Sequence, residues 1–451
     1  MTASFEIYLV AGIYLVWVFG KGILTSRRIH NLEDYLLGGR SLGSGLLAAT
    51  LAATLLGGGA SLGIFGRAYS EGSFFLFATL GWYLAIILTG VWLAAPIRHS
   101  GKATVGEFVA DRYGSALGRV STWLSLLYSM GLLAAQLAAL REVGCILLPG
   151  VGPEWILAAG TFVVLLYNWA GGFWAVVKTD QIQFFVLAGG FACLAVLAGR
   201  QGWTAATSPE WSLGAEGVVW LFPAFFLGEF LAPAYFMRFA AARSSIQAVR
   251  GTVLAGAGLA CFFFPMFFWL VTYARGHLPG LDAGEALPSL VAYLGGAWLS
   301  GVLLAALLAA VMSSADSILN ASTLVVMHDF HLDQIFNPLR LARGVCLLLG
   351  VTAAVVAWLF PNILQLLLLS YQVWAPAVTV LLAAGLLGFL IPRGAAWTIF
   401  LTGLGGSLGA GIFGGSSEQA IVIGVGASLV VAIPAVWAYR IFSIFRLLGE
   451  K

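Results

Sequence analysis

Between Met312 and Phe330 the chain reads MSSADSILNASTLVVMHDF, directly after the apolar run AWLSGVLLAALLAAV. Ser313, Ser314, Asp316, Ser317, Asn320, Ser322 and Thr323 crowd oxygens onto what the preceding residues make a helix. On a helix Ser313 lies beside Asp316 and Ser317, and Ser314 lies beside Ser317. The carbonyl of Ala310 points along the axis toward Ser313 and Ser314. Hydroxyls, a carboxylate and a carbonyl form a hard-oxygen surface, the ligand type that hard cations such as sodium take. A single serine commonly bonds back to its own helix and simply packs. An acid at membrane depth is different: it costs about 2.5–3.5 kcal/mol on the insertion scale, so Asp316 needs a partner.

Two more acids stand in apolar surroundings. Asp180 lies in YNWAGGFWAVVKTDQIQFFVL (167–187). Either it shares a cation or a proton with Asp316, because two bare carboxylates repel, or it is a helix N-terminal acid favoured by the macrodipole. Glu229 lies in FFLGEFLAP (225–233), where Gly228 and Pro233 argue for an interrupted helix. Freed backbone groups at membrane depth line cavities. Glu229 there suits a substrate ammonium, a transferred proton, or a neutral acid bonded to free carbonyls. Phe225, Phe226, Phe230 and Tyr235 would give an apolar wall, although aromatics at this spacing commonly serve packing.

The elements that position these groups are membrane spans. Hydrophobic residues make up 61% of the 451 and charged residues 9%, against about a quarter charged in soluble domains; mean hydropathy is +0.97. Thirteen spans can be drawn, at roughly 5–24, 44–70, 73–97, 119–149, 153–173, 178–200, 216–240, 250–275, 297–330, 340–360, 362–391, 395–415 and 418–446. The connections read as short, and no soluble domain is expected. The first span lacks a small-residue cleavage site behind it and is not read as a removable signal. With the N-terminus outside, Arg67, Arg141, Arg200 and Arg275 fall on the outer side and the remaining lysines and arginines of the 22 on the inner side. The positive-inside rule therefore predicts an outside N-terminus and a cytoplasmic C-terminus.

Two spans read as broken. The second contains LLGGGASLG (55–63), and each glycine weakens a helix by about 1 kcal/mol. The seventh contains the Gly228–Glu229–Pro233 interruption, five spans later. Paired interrupted helices in corresponding halves point to an inverted-repeat transporter. The chain then divides into 1–43, with an extra helix and a cytoplasmic loop; a first repeat, 44–200; a second repeat, 201–391, whose spans begin near 216; and 392–451, with two peripheral helices. The glycine-rich LTGLGGSLGAGIFGG (401–415) lies outside the repeats and is read as close packing. Cys145, Cys193, Cys261 and Cys346 read as small buried hydrophobes, and His328 and His331 as interfacial residues.

At these residues the chain resembles the sodium/solute symporter family, which includes sodium/proline, sodium/sugar and sodium/sialic acid symporters. DYLLGGRSLGSGLLAAT (34–50), YNWAGGFWAVVKTDQIQ (167–183), FMRFAAARS (236–244) and MSSADSILNASTLVVMHDF (312–330) carry the resemblance. It implies an all-α integral membrane protein of LeuT-type fold: two inverted five-helix repeats, one extra N-terminal helix and two C-terminal helices. It also implies a main sodium site between the second and ninth spans, with the carbonyls of Ala53, Leu56 and Ala310 and the hydroxyls of Ser313 and Ser314 as ligands. Members with two sodium ions place the inner one on the equivalents of Asp180, Ser313, Asp316 and Ser317. Here Asp316 stands where those members have serine, which either strengthens the ion site or turns it into a proton site.

The substrate side departs from the family's known branches. The proline branch has an aspartate where Leu55 stands and aromatic contacts where Gly59 and Glu229 stand. The sugar branch has polar residues where Gly58, Gly59 and Ala60 stand. Neither specificity carries over. The expected substrate site is Gly57, Gly58, Gly59, Phe225, Gly228 and Glu229: compact, with one anionic anchor, suited to an amine-bearing solute such as an amino acid or a small organic cation.

The expected function is sodium-coupled symport by alternating access in the plasma membrane, with sodium, a small organic solute and the lipid bilayer as partners. A net charge of +3 gives no reason to expect nucleic acid, and no nucleophile–base arrangement suggests an enzyme. Two alternatives stay open. One is a transporter-like sensor, against which the short tail after the last span argues. The other is proton coupling through Asp180, Asp316 and Glu229. The sequence leaves the oligomeric state open and is compatible with a monomer.

Overall fold

A straight helix of 48 residues would reach about 72 Å, more than twice the ~30 Å hydrocarbon core of a bilayer. Pro153–Arg200 is such a run, and it does not stay straight. Gly172 breaks it with φ 50° and ψ −155°. The hydroxyls of Tyr167 and Thr179 lie 2.5 Å apart, though twelve residues of continuous helix would separate their backbones by about 18 Å. The chain therefore folds back at Gly172, which gives the fifth and sixth spans. A Cβ there would lie 2.6 Å from the carbonyl oxygen of Tyr35, so the turn needs glycine.

The protein, a computed structural model, is described over residues 5–26, 29–202 and 215–449. Arg27, Arg28 and Lys451 of the basic count, and the linker 203–214, lie outside the described residues. The helices are α1 (Phe5–Ser26), α2 (Leu32–Leu37), α3 (Ser44–Leu55), α4 (Ile64–Glu71), α5 (Leu80–Trp92), α6 (Ala94–Ser100), α7 (Val105–Tyr113), α8 (Ser115–Leu147) and α9 (Pro153–Arg200). They continue as α10 (Ala215–Glu229), α11 (Pro233–Ala240), α12 (Ser245–Gly258), α13 (Phe264–His277), α14 (Ala286–Asp329), α15 (Pro338–Leu359), α16 (Ile363–Trp374), α17 (Val380–Leu386), α18 (Arg393–Ile412) and α19 (Ser417–Gly449). Among the described residues nine helices are long and apolar enough to cross a bilayer, or up to eleven if each bent pair is one span.

Both expected interruptions are present. α3 and the stretch Gly59–Glu71 meet at 53°, and α10 meets α11 at 42°. Leu231, between α10 and α11, adopts φ 64°, a conformation that side chains resist and that marks a genuine break.

α14 is the central rod. Every residue from Leu303 to Val325 is buried, and the helix packs against α1, α3, α8 and α9. α18 and α19 pair with each other at the edge. Two connections differ from the short links expected. α7, capped by the Thr104 hydroxyl on the Glu107 N–H, fills the link after the third span. The first turns of α14, before a kink at Gly296, fill the link before the ninth. Cys193 and Cys261 face outward rather than into the core.

A main-chain bridge ties the segment entering α3 to the segment leaving α11. The Leu42 N–H donates to the Ala241 carbonyl at 3.2 Å, and the Arg243 N–H donates to the Leu42 carbonyl at 2.8 Å. Arg98 Nε adds a bond to the Ala242 carbonyl at 2.6 Å.

Candidate functional site

Breaking α3 strips its last carbonyls of their helix donors. The Gly58 N–H, which would bond Thr54 in a continuous helix, instead donates to Gln136 Oε1 at 2.7 Å. The Ser314 hydroxyl on α14 fills the gap. It lies 2.7 Å from the Thr54 carbonyl, 3.4 Å from that of Ala53 and 3.2 Å from that of Ala310. A hydroxyl has one hydrogen to give, so four oxygens converge there around a single proton. The close approach depends on Gly57, where a Cβ would sit 2.2 Å from Ser314 Oγ.

Of the five groups expected to hold sodium, Ala53, Ala310 and Ser314 thus meet. Leu56 caps α3 and is buried beside them, but the nearest carbonyl to Ser314 is that of Thr54. Ser313 points elsewhere: its hydroxyl donates to Asp180 Oδ1 at 2.6 Å.

Asp180 anchors a second cluster of different character. Its Oδ2 accepts from the Thr50 hydroxyl and lies 3.9 Å from an Nη of Arg238. Arg238 Nε lies 3.3 Å from Thr50 Oγ1, Nη1 donates to the Ala234 carbonyl at 3.0 Å, and Nη2 donates to Ser317 Oγ. Ser317 in turn meets the Thr54 hydroxyl at 3.1 Å. Arg238 and Asp180 are both fully buried. The partner of Asp180 is therefore this arginine, not Asp316. The sequence reading had counted Arg238 among the basic residues of inner loops and helix ends; the structure places it inside, one turn into α11.

Asp316 turns away from this cluster. Its Oδ1 accepts from Asn168 Nδ2, whose amide also donates to the Val164 carbonyl. Asp316 Oδ2 and Asn320 Nδ2 are buried with no hydrogen-bond partner among the described residues. Helical geometry explains the separation, because Asp316 is rotated about 100° from Ser317.

Between the two breaks lies a cavity of about 40 Å³, lined in part by Thr54, Gly57, Gly59, Trp82, Tyr128, Gln136, Glu229, Tyr235 and Leu367. Its volume is enough for a few waters. Of the six residues expected at a substrate site, Gly57, Gly59 and Glu229 line it. Gly58 faces Ala139, Phe225 stacks behind Trp82 at 4.4 Å, and Gly228 lies against the ring of Tyr371. Glu229 Oε1 accepts from the Tyr371 hydroxyl and has no ion-pair partner among the described residues. Trp82, Tyr128 and Gln136 escaped the sequence reading, since each sits in an unbroken apolar helix with nothing local to distinguish it.

A larger vestibule of about 510 Å³ opens beyond, lined by Leu62, Gly63, Arg67, Glu71, Glu142, Ile363 and Glu418 among others. Leu367 lines the cavity and Ile363, one turn earlier on α16, lines the vestibule. A Cβ on Gly59 would lie 3.1 Å from Leu367 Cδ1, and one on Gly63 3.4 Å from Ile363 Cγ2.

A family model described as "Sodium:solute symporter family" matches residues 35–201 and 204–406. The chain is 28% identical to the sodium/pantothenate symporter of Escherichia coli over 80% of this chain and 80% of that protein. It is 26% identical to the high-affinity choline transporter 1 of Drosophila melanogaster over 73% of this chain, a match that spans 58% of that relative's length. Among solved structures it superimposes on a Na+-coupled sialic acid symporter with a TM-score of 0.79, covering 96% of this chain and 98% of that one at 20% identity. The fold is thus the LeuT-type arrangement.

Proposed function

The chain belongs to the sodium:solute symporter family, and from that premise we propose that it couples sodium entry to uptake of a small amine-bearing solute. It is a multi-pass membrane transporter rather than an enzyme, and sodium is the coupled ion.

One observation carries the assignment of the ion site: the Ser314 hydroxyl converges with the carbonyls of Ala53, Thr54 and Ala310 at the break of the second span. Sodium held there, with the Leu56 carbonyl and, once turned from Asp180, the Ser313 hydroxyl completing the shell, joins the bent α3 to α14 and fixes the angle of the break. That angle shapes the neighbouring cavity, because Thr54 and Gly57 belong to both.

The substrate reading rests on Glu229. A buried acid without a basic partner is costly, and a solute ammonium would supply the missing charge. Trp82, Tyr128 and Tyr235 line the same cavity, and aromatic rings attract cations. The choline transporters among the relatives lend this class support. The cavity must widen to admit a solute. In the proposed cycle Leu367 and Ile363 draw away from Gly59 and Gly63 to admit solute from the vestibule. Later the Leu42–Ala242 bridge parts to release it. The moving bodies are the repeats 44–200 and 201–391, flanked by 1–43 and 392–451. The N-terminus lies outside and the C-terminus in the cytoplasm of a plasma membrane, where the potential drives sodium inward with about 2.3 kcal/mol per charge per 100 mV.

The test is uptake by proteoliposomes across a panel of labelled amines and amino acids, under an imposed sodium gradient and with potassium in its place. Accumulation only with sodium supports the reading. Binding without accumulation would make the protein a sensor, and accumulation in potassium under a pH gradient would make protons the driver. Within a transported panel, Glu229→Gln should weaken amine affinity at least about tenfold, a loss of about 1.4 kcal/mol. Unchanged affinity would remove the amine assignment.

A further inference from the structure

The oxygens that family resemblance gives to a second sodium ion already hold a cation that belongs to the chain. Asp180, Ser313 and Ser317 were its expected ligands together with Asp316. Asp316 faces Asn168 instead, and the other three surround or adjoin the Arg238 guanidinium. Asp180 Oδ1 is taken by Ser313 and Oδ2 by Thr50 and Arg238. Ser317 Oγ is taken by Arg238 Nη2 and by the Thr54 hydroxyl. The guanidinium is 0% exposed and stays protonated in proteins. A metal ion entering this cluster would meet a fixed like charge within a few ångströms, in a medium that screens poorly. It would also have to strip hydrogen-bond donors from both its carboxylate and its hydroxyl ligands.

We propose that Arg238 is a tethered counter-cation standing in the place of a second sodium ion, so that the protein binds one sodium ion per chain. The inference rests on the proposed sodium site at Ser314, because it concerns how many ions accompany that one. Arg238 is tied to its own helix through the Ala234 carbonyl, so it neutralises Asp180 without being released in the cycle. A bound ion would leave with each turnover; this one stays. Arg238 is then a residue that sets stoichiometry through Asp180, with no contact to the solute cavity required.

The experiment counts sodium on purified full-length protein by equilibrium binding of radioactive sodium. Sodium-dependent thermal stabilisation is followed in parallel, since its steepness with the logarithm of concentration reports the number of ions bound to the folded state. The expected result is one ion in the wild type, two in Arg238→Ala, where the Asp180, Thr50 and Ser317 oxygens are freed, and one in Arg238→Lys, which keeps the charge. Two ions in the wild type overturn the inference while leaving the Ser314 site intact. One ion in a folded Arg238→Ala protein overturns it as well, because the arginine would then be a structural pair and nothing more. No sodium bound by the wild type would remove the sodium site itself, and this inference with it. The wild-type count decides the matter even where the alanine variant does not fold.

Discussion

Ser314 and Ser317 stand less than one turn apart on α14, both fully buried, yet their surroundings are of opposite kinds. Around Ser314 there are only oxygens, three of them main-chain carbonyls and two of those at the broken end of α3. Around Ser317 there are oxygens and a guanidinium. A rotation of about 60° on the helix takes one serine to an unwound backbone and the other to a side-chain ion pair. In the proposed reading the same hydroxyl chemistry serves exchangeable ion binding where the positive charge has to come from solution. It serves permanent structure where the chain brings the charge itself.

The contrast is sharpest at Asp180. Asp180→Ala leaves the Arg238 charge buried and unpaired, which should cost about 3–5 kcal/mol. The unfolding midpoint in detergent should fall accordingly, and an added Arg238→Met should recover most of the loss. If the single variant were as stable as the double, the ion pair would hold nothing together. Next in size is Ser314→Ala. A hydrogen bond or ligand to a charged group is worth about 1.5–3 kcal/mol, so the variant's sodium affinity should drop about tenfold to about a hundredfold. Its midpoint without sodium should fall only by the equivalent of about 1 kcal/mol, the bond its hydroxyl gives the Thr54 carbonyl. Smallest in its effect on sodium is Ser317→Ala: its hydroxyl accepts from the buried Arg238 guanidinium, so about 1.5–3 kcal/mol of stability should be lost with sodium affinity unchanged. Equal damage to sodium binding by the two serine variants would erase the distinction between the regions.

The breaks were legible in the sequence because they are local. Three consecutive glycines, and a Gly–Glu followed by proline, carry their own conformational reasons. The meeting of the first break with Ala310 and Ser314 was legible only through the resemblance to the symporter family; the crowded oxygens by themselves marked α14 alone. The partner of Asp180 was not. Arg238 lies 58 residues further along and close to a helix end, where the positive-inside count rightly expects interfacial arginines. Only the crossing of α3, α9, α11 and α14 brings it inward. The cavity wall was half legible: Glu229 announced itself as an acid in a membrane, while Trp82 and Tyr128 owe their place to how α5 and α8 pack. Phe225 and Gly228 were expected in the wall because they neighbour Glu229 in sequence, but helical rotation points them at Trp82 and Tyr371. Asp316 was grouped with Ser317 by proximity along the chain, and the same rotation separates them.

The bridge between Leu42 and the residues after α11 is made by amides and carbonyls. Apart from the Arg98 guanidinium on the Ala242 carbonyl, which stays protonated, the clasp contains no side-chain charge. Replacing the residues around it leaves its two main-chain bonds in place, unless proline removes a donor. In the proposed cycle this clasp opens mechanically, by tilting of α3 and α11 as whole bodies. Its tightness should stay nearly constant with acidity, because none of its groups titrates near neutral pH.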